Sequence, residues 1–193
     1  MQPVLLLGGS SHAGKSTLAR KLAEERGAEL LSTDTLARHP GCPWGEVGRR
    51  PHVIEHYLSL SVEELLADVL RHYRENVWPQ VVERIEAAES GLIIEGSALW
   101  PELVATLDRP GVEAVFLTAS DDLFRHRIHS ESHFATLSGQ DRELVEKFLA
   151  RTLLYNRRMV EEATRLGLES VDVGKFSSPG EAVSRALRDS NAL

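Results

Sequence analysis

The chain has 193 residues, of which 42% are hydrophobic and 26% charged, and its formal net charge is −7. This is an ordinary composition for a soluble globular protein with one sizeable core. The acidic balance argues against sequence-independent nucleic-acid binding, which needs Lys and Arg to neutralise phosphates. An anionic substrate must therefore be met by a local group of arginines. The single cysteine, Cys42, leaves no internal disulfide and fits a reducing compartment. Nothing reads as a signal peptide and no apolar run is long enough for a bilayer, so the expectation is a cytoplasmic protein without a membrane partner.

Taken in chain order, Val4–Leu7 is a continuous apolar run of the kind that forms a strand buried on both faces. Leu18, Ala19, Leu22 and Ala23 then recur at helical spacing up to Gly27, a helix stop. The stretch 28–34 (AELLSTD) reads as a second strand ending in polar residues. Ser61-Val-Glu-Glu64 is a capping box that opens a helix through Leu65, Leu66, Val69 and Leu70. Trp78-Pro79 breaks or kinks that pattern before a further helix to about Ala88. Strands follow at 91–95, 112–118 and 168–174, with helices opening at Ser120, Ser138 and Ser178 between and after them. Alternating strands and helices predict an α/β fold: a five-stranded parallel sheet with helices on both faces. The long, aromatic-rich stretch 35–90 exceeds one crossover, so part of it is expected to cap the sheet's carboxyl edge. The whole of 1–193 reads as one domain with that insertion.

The most specific signal is the run from Gly9 to Thr17. Gly9-Ser10-Ser11-His12-Ala13-Gly14-Lys15-Ser16 satisfies G-x-x-x-x-G-K-[ST], placed after a strand and opening a helix. Glycines let the backbone curl so that successive N–H groups converge on phosphate oxygens, and the helix N-terminus adds free donors. Lys15 is expected to bridge β- and γ-phosphates and Ser16 to ligate Mg²⁺, and the whole run from Gly9 to Thr17 is expected to bind the nucleotide. His12 either lies over the phosphates or fills a variable position of the motif. The expected cofactors are therefore ATP and Mg²⁺. A phosphate loop does not by itself separate kinases from switches or motors. The N/T-K-x-D type of motif is missing after 112–118, which counts against a GTPase.

The order of motifs resembles the group of P-loop kinases that contains adenylate, gluconate and shikimate kinases. Within it the chain is most similar to chloramphenicol phosphotransferase-like and 2-phosphoglycerate kinase-like proteins. The stretches that carry the resemblance are GGSSHAGKST (8–17), STD (32–34), IIEG (93–96) and a lid-like segment beginning LFRHRI at Leu123. The Asp-Gly-x-Pro-Arg stretch of adenylate kinases is replaced by Glu95-Gly-Ser-Ala-Leu-Trp-Pro101, which counts against an ordinary mononucleotide kinase. The resemblance implies a phosphoryl transfer from ATP to a hydroxyl of a small-molecule acceptor.

It also implies roles for single residues. Asp34, at the sheet's carboxyl edge, orients or deprotonates the acceptor, although it could equally cap a short helix. Glu95 holds the metal or a substrate hydroxyl, unless it is only a buried carboxylate satisfied by the next loop. A lid over about 125–151 brings arginines to the transferring group, with Arg125 and Arg127 foremost, Arg151 close behind and Arg142 a further candidate. Apart from the resemblance, Arg38, Trp44, Arg49 and Arg50 lie in or beside a turn-rich segment that could contact the acceptor, with Arg49-Arg50 foremost for an anionic one, although that pair could equally be a solvated basic pair. The loop at 174–177 packs on adenine through Lys175 or Phe176. His126, His129 and His133 share a helical face but lack a thiolate or fourth ligand, so they read as surface or lid histidines. The rival readings are a nucleotide, nucleoside or polynucleotide-end kinase, and a slowly hydrolysing regulatory switch.

Overall fold

A computed structural model describes residues 3–37, 41–45, 50–175, 180, 181 and 183. Its five strands are β1 (Val4–Gly9), β2 (Glu29–Ser32), β3 (Leu92–Glu95), β4 (Val112–Thr118) and β5 (Glu169–Asp172). All pair in parallel, in the order β2-β3-β1-β4-β5. The predicted parallel sheet is therefore the observed one. Each strand end lies within two residues of the end read from the sequence, and β4 matches at both ends.

The reason β1 reads as unbroken hydrophobicity is visible in its packing. Successive side chains of a strand point to opposite faces. Leu5 and Leu7 enter one core cluster with Leu18, Leu22, Ile93, Val115, Leu117 and Phe148. Val4 and Leu6 enter the other, with Ile94, Phe116, Leu99, Val81 and Met159. Both faces are covered by helices, so neither face of the central strand can carry a polar residue without a cost.

The helices are α1 (Lys15–Arg26), α2 (Pro51–Ser59), α3 (Val62–His72), α4 (Trp78–Glu86), α5 (Pro101–Val104), α6 (Asp121–Glu131) and α7 (Gly139–Arg165). The Ser61 capping box forms: its hydroxyl accepts from Glu64 N–H, and the Glu64 carboxylate accepts from Ser61 N–H at 2.7 Å. Ser120 caps α6 in the same manner through Leu123 N–H. Between α3 and α4 the chain does not break. It passes through a π-helical turn, Tyr73–Val77, and resumes helix at Trp78 with Pro79 in its first turn, where a missing N–H costs nothing. Helix α7, 27 residues long, is the spine: α2, α3, α5, α6, β4 and β5 all pack against it. The helix expected to open at Ser178 lies largely outside the described residues, as does Phe176. No described helix is long and apolar enough to cross a membrane.

Leu6 is 1% exposed and central to one cluster. Leu6→Ala is expected to lower unfolding stability by about 2–5 kcal/mol through lost transfer energy and the cavity left behind. Urea denaturation with an unchanged slope is the check; a loss under about 1 kcal/mol would mean that the strand is not held between two packed faces.

Candidate nucleotide and acceptor site

The carboxyl ends of β1, β2 and β3 deliver the site. β1 runs into the glycine-rich loop, and Gly14 takes a left-handed conformation, φ 95°, at the N-cap of α1. No side chain caps this helix and no acidic residue sits in its first turn. Its leading N–H groups are thus left for an exogenous acceptor, which is how helix N-termini bind anions. Ser10 fastens the loop from below, its hydroxyl donating to the Thr152 carbonyl of α7 at 3.1 Å.

Lys15 is 7% exposed. Its ammonium donates to the Ser10 carbonyl at 2.8 Å and to Ser97 Oγ at 3.4 Å, both uncharged acceptors. Burial pushes its pKa down, and the charges of Glu95 and Asp34 only partly oppose this. A buried ammonium bonded to neutral oxygens is a ready partner for phosphate. Ser16 Oγ donates to Glu95 Oε1 at 3.1 Å, and Glu95 is itself 4% exposed at the end of β3. A hydroxyl and a carboxylate in contact at the start of α1 are a hard-oxygen donor pair of the kind Mg²⁺ takes alongside phosphate and water. The residues present therefore fit a magnesium–nucleotide.

Beside the loop lies a cleft of about 640 Å³, lined among others by Ser11, Thr33, Asp34, Ser97, Tyr73 and Arg151. Asp34 sits in a 3₁₀ turn, Thr33–Thr35, directly after β2, and its side chain provides no cap there. That turn touches the β3–α5 loop closely. A Cβ at Gly96, whose φ is +151°, would overlap the Thr33 side chain, so only glycine lets the two carboxyl-edge loops meet. Tyr155 holds the same loop from α7, its hydroxyl donating to the Ser97 carbonyl at 2.6 Å.

The expected arginines separate. Arg127 reaches the phosphate loop, its Nη1 donating to the His12 carbonyl at 2.6 Å. Arg125 does not: it is half-exposed and pairs with Glu146 at 3.7 Å. Residues two apart on a helix point about 200° away from one another, so α6 can present only one of the two. Arg142 is used up structurally, stacked over Phe134 and donating to the Leu137 carbonyl. Arg151 is 7% exposed, lies over the Phe148 and Tyr57 rings, and keeps a buried Nη1 without a hydrogen-bond partner where the cleft meets Ser10 and Ser11. Arg50 lines the cleft and is exposed. Arg38 and Arg49 lie outside the described residues. Trp44 packs edge-on against Phe148 at 4.8 Å and near His12 at 5.9 Å, serving the wall of the site. Lys175 is exposed and pairs with Asp172. His129 stacks on Phe134 and meets Glu146, so it is committed to the α6–α7 contact. Ser97 and Tyr73 carry no motif, Thr33 lies in the STD stretch without a role of its own, and sequence reasoning assigned a function to none of the three. Only their place after a strand or in the disturbed helix before Trp78 could have marked them.

A family model described as an AAA domain matches residues 4–154. The chain belongs to the AAA domain family. Its match runs from the first residue of β1 through α7 as far as Leu154, so it includes the phosphate loop, Asp34, Glu95 and Arg151. Among solved structures, this AAA-family chain is similar to a gluconokinase from Sinorhizobium meliloti 1021, with 19% identity, a TM-score of 0.54, and coverage of 96% of this chain and 90% of the other. It is likewise similar to shikimate kinase from Bacteroides thetaiotaomicron, with 20% identity, a TM-score of 0.52, and coverage of 98% and 97%. At these identities the likeness shows the fold: a P-loop domain with the architecture of those kinases. No curated protein matches the chain.

The Gly96 contact makes a graded prediction. Gly96→Ala must both strain the backbone and displace Thr33, and is expected to cost at least about 2 kcal/mol. Gly27→Ala, at φ +61° with open space around the added Cβ, is expected to cost only about 1 kcal/mol. Thermal unfolding of both variants tests this; equal losses would remove the close-approach argument.

Proposed function

We propose that this protein is an ATP- and Mg²⁺-dependent phosphotransferase that moves the γ-phosphoryl group to a hydroxyl of a small molecule. The observation that carries the proposal is the adjacency of a buried, neutral-partnered Lys15 to a cleft lined by Asp34 and Arg151, whose Nη1 has no hydrogen-bond partner. Bound magnesium–ATP would supply the phosphoryl group and neutralise part of its charge. In this reading Lys15 and the loop amides hold the phosphates, while Ser16 and Glu95 hold the metal. Arg127, resting on the His12 carbonyl, lies on the nucleotide side. Arg151 stands at the boundary between loop and cleft, where its spare N–H can donate to equatorial oxygens of the group in transit.

Asp34 orients the acceptor hydroxyl and takes its proton late in the transfer, since a loose transition state asks little of a base beyond position. Thr33, Ser97 and His52 offer polar contacts to the acceptor, and Val53, Val69, Val77 and Phe148 offer an apolar wall. A cleft of this size and mixed lining suits a small metabolite, drug or nucleoside. A continuous basic channel, which a polynucleotide end would want, has no counterpart among these lining residues. The protein is proposed to work in the cytoplasm, where ATP and a reduced Cys42 are available.

The test is ADP release from ATP and Mg²⁺ across a panel of hydroxylated small molecules. One acceptor is expected to raise turnover well above the idle rate. Lys15→Ala and Asp34→Asn are each expected to remove at least about 100-fold of that stimulated rate. Arg151→Met, which keeps the ring contacts, is expected to lower kcat by about 10–100-fold, the worth of one charge-assisted hydrogen bond. A wild type that hydrolyses ATP without response to any acceptor, matched by Asp34→Asn, would replace the kinase reading with that of a nucleotide-dependent switch.

A further inference from the structure

His12, Cys42 and Glu131 come from three separate segments: the phosphate loop, the stretch before α2, and the last residue of α6. Their ligand atoms, a ring nitrogen, a thiol sulfur and a carboxylate oxygen, nevertheless all lie within 4.8 Å of one another. The His12 side chain is 9% exposed, held near Trp44 and Phe148, and has φ +65°. Both of its ring nitrogens are buried without an aligned hydrogen bond; Nε2 stands 3.1 Å from Glu131 Oε2 and Nδ1 faces no partner among the described residues. Buried polar atoms in native proteins are almost always satisfied, so a buried Nδ1 without a partner, on an imidazole that meets a carboxylate through Nε2 and lies beside a thiol, points to something that binds all three groups.

The donor set narrows what that is. Sulfur, imidazole nitrogen and one carboxylate oxygen are the ligands of Zn²⁺ and its thiophilic relatives, whereas Mg²⁺ takes hard oxygens in octahedral array. We propose that His12, Cys42 and Glu131 form a binding site for one thiophilic divalent cation of the Zn²⁺ type, distinct from the Ser16–Glu95 pair. Zinc bond lengths of about 2.0–2.3 Å in tetrahedral geometry set donors about 3.3–3.6 Å apart, so no pair of the three groups needs to close by more than about 1.5 Å. The Glu131 side chain is 58% exposed and free to make that movement.

The charges balance: a thiolate and a carboxylate offset the two positive charges of the ion, and the imidazole binds neutral. On entry the Cys42 S–H bond breaks, its proton passes to water and a sulfur–metal bond forms, with the fourth position left to solvent. The bound ion ties the phosphate loop to the end of α6, the helix whose Arg127 already grips the His12 carbonyl. It also ties the loop to the segment before α2. Occupancy of this site therefore stiffens the loop independently of nucleotide.

The experiment is Co²⁺ titration of the nucleotide-free, reduced full chain, followed by Zn²⁺ displacement. Cys42 is the only cysteine, so a thiolate-to-cobalt charge-transfer band can arise from no other residue of this chain. The expected result is such a band, saturating at one equivalent, bleached by one equivalent of Zn²⁺ and lost in Cys42→Ser. Glu131→Gln alters an exposed side chain on a folded helix. It is expected to weaken binding by at least the ~10-fold that loss of even an outer metal partner costs. A folded wild type without the band, or a Glu131→Gln variant that binds as tightly as wild type, overturns the proposal. Neither result depends on phosphoryl transfer.

Discussion

One buried ammonium sets the conditions for the rest of the site. Lys15 stands at the junction of strand, loop and helix, out of water, with a backbone carbonyl and a hydroxyl as its hydrogen-bond partners. Taking such a charge from water costs of order several kcal/mol unless opposite charge is placed against it. Glu95 and Asp34 are near enough to ease this without forming a contact ion pair. A direct salt bridge would satisfy the lysine and leave nothing to offer a phosphate. The arrangement keeps the protein folded while leaving the cation chemically unsatisfied.

That constraint explains why the surroundings are so firmly built. The loop's Ser10 is tied to the Thr152 carbonyl, and Ser97, the lysine's second partner, is held in place by Tyr155. Both ties come from the same stretch of α7, which also carries Arg151. A single helix thus positions the loop, the lysine's hydroxyl partner and the Arg151 guanidinium at the cleft. Long helices earn their place in such folds because rigidity along their length keeps distant groups in fixed relation. The sheet does the complementary task, fixing β1 between β3 and β4 so that Glu95 and the loop end at one level.

Much of this was legible in the sequence, for identifiable reasons. Val4–Leu7 had to be a central strand because both its faces are buried. The capping box at Ser61-Glu64 is a local hydrogen-bond pattern that needs no tertiary context. The phosphate loop combines a motif with its required neighbours. The arginines were less legible because charge type says nothing about direction: Arg125 and Arg127 are equivalent in a motif and opposed on a helix. Arg151 lay in an unremarkable helical run, and its burial depends on Phe148 and Tyr57, one of them nearly a hundred residues away. The grouping of His12 with Cys42 and Glu131 is wholly tertiary, and no spacing announces it.

The π-helical turn at Tyr73–Val77 shows how the cleft could be shaped without disturbing the core. In an α-helix each residue advances the face by about 100°, so one additional residue in a turn rotates everything beyond it by that amount. Here Leu66 and Val69 before the turn, Val77 at its end and Val81 and Ile85 after it all reach the same cluster, and Val69, Tyr73 and Val77 also line the cleft. The wide turn works as a phase shifter. It lets two helical halves keep their apolar seats while Tyr73, between them, also reaches the cleft. The gain or loss of one residue at this point would redraw the cleft wall and the helix register together, leaving the sheet and the phosphate loop as they are.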